Sequence, residues 1–150
     1  MTLLYRRVDP LKEFLLKVGT KEQYHQSPTG TLYNHLVGTR RLLRKWECSD
    51  DVCNAGLFHS IYGTPIYDPK TLSIDDRKIV RDLIGERSEH LVHLFHISGS
   101  DDRLFEFIDM SEPDRSDLIT IDYANSREQS GPDWDDVDYH PYIPSLSLVK

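Results

Sequence analysis

Basic residues are the first shortage: 18 Lys and Arg stand against 25 Asp and Glu, for a formal net charge of -7. A phosphate backbone rewards a basic face, so nucleic acid is not an expected partner. Arg40, Arg41 and Arg44 do make a short basic run, read here as a solvated helix face. Cysteine is scarce too, with Cys48 and Cys53 the only two. A structural zinc site wants four Cys or His ligands in paired short spacings, and this pair does not supply them. Cys53 reads instead as a buried thiol. No apolar run approaches the length of a membrane span. Arg6, Arg7 and Asp9 interrupt the short apolar start, so no signal peptide is expected and a cytoplasmic location is. Val and Ile never alternate with polar residues long enough to suggest a sheet, and there is no internal repeat or low-complexity tract.

What remains is helical spacing. Leu11, Phe14, Leu15 and Val18 make one apolar stripe, opened by Asp9-Pro10 and closed by Gly19. Leu32, Leu36, Leu43 and Trp46 mark a second helix, and Ser49 or Asp50 caps a third from about Asp51 to Ile61. Ser73 with Asp76 opens a fourth carrying Ile79, Val80, Leu83 and Ile84. Helix resumes after Gly85 and stops before Gly99, a short one is expected from Leu104 to Ile108, and a last one from about Pro113 to Gln129. The chain therefore reads as all-α. One helical domain covers 1–130, and an extended acidic, aromatic tail covers 131–150, where Asp133, Asp135, Asp136 and Asp138 surround Trp134.

Three polar residues fall on faces that should point inward. His35 shares a face with Thr39, Leu42 and Trp46, and His59 with Val52, Ala55 and Gly56. Asp122 lies between Leu118, four residues before, and Asn125, three after. A buried carboxylate is costly unless it is paired or bound to a cation. Two imidazoles and one carboxylate suit a divalent metal with positions left open for water and substrate. Equally, such histidines serve as hydrogen-bonded core residues. His90, His93 and His96 recur every three residues, and Glu86, His90 and His93 share a face that reads either as further ligands or as a solvated surface. Ser60 beside His59 is not read as a nucleophile and base, because adjacent helical residues point about 100° apart.

The stretch from Thr29 to Thr64, TGTLYNHLVGTRRLLRKWECSDDVCNAGLFHSIYGT, resembles the first half of an HD phosphohydrolase domain. The likeness is greatest to the domains that hydrolyse the alarmone (p)ppGpp. His35, with Tyr33 nearby, matches the first histidine of that pattern, and Ala55 to His59 matches its Ala-x-Leu-Leu-His-Asp helix. DRKIVRDLIGERSEHLVHLFH resembles the helix pair that follows, and LITIDYANSREQ the final Asp-x-x-x-Asn motif. The resemblance implies an HD-like helical bundle holding a divalent metal, iron or manganese, on His35, His59 and Asp122. Asn125 then contacts a small-molecule substrate. Apart from the resemblance, Tyr62, Thr64 and Arg87 are candidates for the pocket wall, where a phenol, hydroxyl or guanidinium could bind a polar ligand, and Tyr62 reads equally as packing.

The departures are as specific. Ser60 stands where the superfamily has the aspartate of its His-Asp pair, and a neutral hydroxyl is a poor substitute for a carboxylate at a metal. Gly63 and Thr64 stand where the alarmone hydrolases carry an acidic pair, so no catalytic residue is assigned. AGLFHSIYGT is also similar to a small HD-like branch with His-Ser in place of His-Asp. The expected function is a metal-dependent hydrolase of a phosphorylated or nucleotide-like small molecule. Two alternatives stay open. One is a non-catalytic small-molecule or protein binding module on a degenerate HD fold. The other is a non-haem iron oxygenase built on two histidines and one aspartate. Substrate and oligomeric state are not written in the sequence.

Overall fold

The computed structural model describes residues 8–23, 30–63, 71–99 and 108–130. Among these there are six α-helices and no strand: α1 (Pro10–Lys17), α2 (Leu32–Lys45), α3 (Asp50–Phe58), α4 (Arg77–Ile84), α5 (Glu86–Ser98) and α6 (Glu112–Gln129). The expected all-α bundle is present. The expected tail over 131–150, Thr64, and all but the last residue of the short helix at Leu104–Ile108 lie outside the described residues.

Local chemistry sets the helix ends. Asp9 caps α1 by accepting from the amides of Leu11 (3.0 Å) and Lys12 (3.3 Å), and Gly19 leaves that helix at φ 90°. Thr31 caps α2, Ser49 caps α3 and Ser111 caps α6, each side chain accepting a backbone N–H in the first turn. Ser73 and Asp76 form the expected capping box, but around a 3₁₀ turn, Ile74–Asp76, that precedes α4. The third helix ends at Phe58, short of the expected Ile61. Bonds from Ile61 N to Phe58 O (3.0 Å) and from Gly63 N to Ser60 O (2.9 Å) tighten the chain into turns there.

The second helix is central, packing on α1, α3 and α6, while α5 touches α3, α4 and α6. Its fully buried Leu32, Leu36, Leu42 and Leu43 meet Ala55, Leu57 and Phe58 of α3, Leu91 and Val92 of α5, and Leu118 and Ala124 of α6 in one core. The α2–α3 contact is close because Gly56 has no side chain: a Cβ there would collide with Leu43 Cδ1. Arg40 departs from the expected solvated run, while Arg41 and Arg44 remain exposed. It is 2% exposed, and its guanidinium donates to the second oxygen of the capping Asp9 at 2.7 Å, tying α1 to α2. Burial works to raise the Asp9 carboxyl, but the Arg40 bond and charge outweigh it and hold that carboxyl below its ordinary value. Among the described residues no helix is long and apolar enough to cross a membrane.

Candidate functional site

Three helices bring polar side chains to one point in the core. His35 comes from the second turn of α2, His59 from the residue after α3, and Asn125 from the second half of α6. They are 0%, 2% and 6% exposed. The Nε2 atoms of the two imidazoles stand 3.3 Å apart, and Asn125 Oδ1 lies 2.8 Å from that of His35 and 3.1 Å from that of His59. Phe95 packs edge-on against the His59 ring, with centroids 5.0 Å apart, and forms an apolar wall.

The outward nitrogens settle where the ring protons are. Nδ1 of His59 lies 2.7 Å from the Gly56 carbonyl oxygen, which only accepts, so this nitrogen carries a proton and donates it. Nδ1 of His35 contacts the carboxylate of Glu128, a residue 1% exposed on the last turn of α6. Burial pushes the His35 imidazole down to about 4, against the opposing hydrogen bond from Asn125, so the ring is neutral at pH 7. A carboxylate accepts, so the contact places the His35 ring proton on Nδ1. Both Nε2 atoms point at an amide oxygen. The Gln129 amide donates to that same oxygen at 3.2 Å, an orientation that keeps oxygen rather than nitrogen toward the imidazoles.

Two ring nitrogens and an amide oxygen within 3.3 Å of one another are also atoms that could hold a divalent ion. Histidine ligands of first-row metals commonly donate the second ring nitrogen to a carboxylate or carbonyl, as Glu128 and Gly56 receive it here. With bonds of about 2.1 Å, any nitrogen separation below about 4.2 Å is compatible with a shared ion. Ser60, 4% exposed beside His59, has a buried hydroxyl oxygen without a hydrogen-bond partner among the described residues, a further atom suited to a ligand.

Among the described residues no group of three or more His, Cys, Asp or Glu side chains is placed to hold a metal ion. Asp122 lies three residues before Asn125 on the same face of α6, half-buried, with one carboxylate oxygen wholly enclosed. Asn125, expected at the substrate, is the α6 side chain described against both imidazoles. Tyr62 is fully buried and donates its hydroxyl to Glu89 at 3.0 Å. Arg87 is engaged by Asp114 and Asp117 at the start of α6, and His90 joins Asp114 at 3.0 Å. His96 meets the Gly63 carbonyl at 2.9 Å, so the α5 histidines are spread among separate partners. Glu128 escaped the sequence reading: an acid between Arg127 and Gln129 looks like a solvated helix end. Its one signal is Gly38, which shares a helix with His35 and leaves the space that Glu128 fills.

Residues 14–99 match the model of a family described as Domain of unknown function (DUF6817). That is more than half of the chain. The chain belongs to the DUF6817 family. The DUF6817 match contains both histidines and ends before α6, so Asn125 and Glu128 lie beyond it. Comparisons with curated proteins and with solved structures return no match.

Proposed function

We propose that this chain binds a divalent metal, iron or manganese, on His35 Nε2, His59 Nε2 and Asn125 Oδ1, and uses it to hydrolyse a phosphorylated or nucleotide-like small molecule. The observation that carries the reading is the convergence of those three lone-pair atoms, with both Nδ1 protons already committed to acceptors. The HD resemblance in the order of the motifs supports it, while the departures weigh against it: Ser60 takes the place of a carboxylate ligand, and Gly63 and Thr64 that of the catalytic acids. Bound there, the ion supplies Lewis-acid polarisation of a phosphoryl group and acidifies water. The chain's own part is orientation: Glu128 and Gly56 fix the rings, and Phe95 keeps the His59 face dry. Asp122, a turn from Asn125, is the nearest carboxylate along the same helix face.

A second reading is favoured by one observation. If the Asn125 amide is turned end for end, its two N–H groups match the two imidazole lone pairs, and the core is satisfied without an ion. That arrangement suits a non-catalytic binding module. Elemental analysis of untagged protein, beside His59→Ala and Asp122→Ala, separates the two. Near-stoichiometric iron or manganese in the wild type, lost in His59→Ala, is expected, and justifies a screen of phosphorylated substrates. A wild type that stays metal-free after reconstitution sinks the metal-enzyme reading.

A further inference from the structure

Glu128 is buried at 1% exposure, and its carboxylate contacts Nδ1 of the fully buried His35. Reaching that nitrogen takes space that α2 provides through Gly38, three residues after His35. A Cβ at Gly38 would lie 2.8 Å from Glu128 Cγ and 3.2 Å from Oε2. Two features on different helices therefore serve one contact. A neutral imidazole has a single proton for two nitrogens, and the partner of one nitrogen decides which carries it. With the proton on Nε2, His35 would face the carboxylate acceptor to acceptor and turn an N–H toward His59.

We propose that Glu128 is the positioning residue of the imidazole pair. Through the contact that Gly38 makes room for, it holds His35 as the Nδ1–H tautomer and directs the Nε2 lone pair to the point shared with His59 and Asn125. The purpose of this arrangement rests on the metal reading above; the tautomer itself does not. Removing a carboxylate that orients a metal-ligating histidine lowers metal affinity by about 10–100-fold.

The test uses the full chain, ¹⁵N-labelled and metal-free, with long-range ¹H–¹⁵N spectra to report which His35 nitrogen is protonated, followed by titration with Mn²⁺. Wild type should show Nδ1–H. Glu128→Ala should move the proton toward Nε2 and weaken Mn²⁺ binding about 10–100-fold. Glu128→Gln keeps an acceptor oxygen within reach and should retain the tautomer, rescuing most of the affinity. Gly38→Ala leaves the carboxylate in the chain but displaces it, and as a helix-favouring change it serves if Glu128→Ala does not fold. Its spectrum should match that of Glu128→Ala. Nδ1–H persisting in every folded variant, even with Mn²⁺ bound by wild type, overturns the proposal and leaves the metal reading standing. A tautomer that moves while wild type binds no Mn²⁺ supports the positioning role and removes the metal reading instead.

Discussion

Two glutamates, Glu89 and Glu128, are each 1% exposed, yet they are held in opposite ways. Glu89 on α5 accepts Nε and Nη2 of Arg77, both at 2.8 Å, and the Tyr62 hydroxyl, with Arg81 at 3.6 Å. Burial works to raise its carboxyl, but Arg77, Tyr62 and Arg81 outweigh burial and hold it below its ordinary value. The same burial and the Glu89 charge push the Tyr62 phenol up. This is a charge met by charge, and it clasps α4, α5 and the turn after α3 together. Glu128 instead contacts a neutral imidazole, whose other nitrogen faces a second imidazole and an amide. The first arrangement is electrostatically closed and does structural duty. The second passes its polarity along to the second imidazole and the amide.

The difference predicts unequal responses. The largest belongs to Glu89→Ala, which leaves the half-buried Arg77 guanidinium and the buried Tyr62 phenol without their acceptor and should cost about 3 kcal/mol by urea denaturation, leaving any metal content of the folded fraction unchanged. Loss of metal in that variant would show that the two regions are not separate.

Acid should act next. The His35 pKa is lowered on folding from 6.5 to about 4, so the unfolded chain binds more protons between those values. Its contribution is fully present above pH 6.5 and is lost as pH falls toward 4, up to about 3 kcal/mol. Glu89 also has a folded pKa below its unfolded 4.5, so its share is lost only at still lower pH. Stability measured from pH 7 to pH 4 should therefore slope in wild type and flatten in His35→Gln. An unchanged slope in that variant would place the titration elsewhere.

Gly56→Ala forces α2 and α3 apart at Leu43 and should cost about 1–3 kcal/mol in a thermal or urea melt. No loss would mean that Leu43 yields to another rotamer without cost. The smallest effect is expected from Glu128→Gln, under about 1 kcal/mol, because a neutral acceptor still meets a neutral donor. Should it cost as much as Glu89→Gln, the contrast between the two carboxylates fails.

Much of the bundle was legible because its signals are local. Asp9-Pro10, Ser49, and Ser73 with Asp76 mark helix starts through side-chain-to-amide bonds that span three residues or fewer. Gly19, Gly85 and Gly99 end segments by adopting positive φ. His35 and His59 were legible as inward-facing, and Asn125, read only as a substrate contact, meets both of them. What sequence spacing missed depends on distant helices. Arg40 looked solvated until Asp9, 31 residues away, met it at 2.7 Å. Glu128 looked like a helix-end acid until Gly38 opened a space beside His35. The family match stops at residue 99, so it gives no hint of the α6 partners either.

The glycine contact between α2 and α3 has one more consequence. The bare α-carbon of Gly56 is covered by the Leu43 side chain, with the Thr39 methyl beside it, so at this crossing the main chain of α3 sits against side chains of α2. That crossing lies one turn upstream of His59 and two turns downstream of His35, whose imidazoles stand 3.3 Å apart. Position 56 is in effect a calibration screw. It carries no side chain and touches neither imidazole nitrogen at the pair, yet any volume added there would bear on how wide the jaw between the two rings stands.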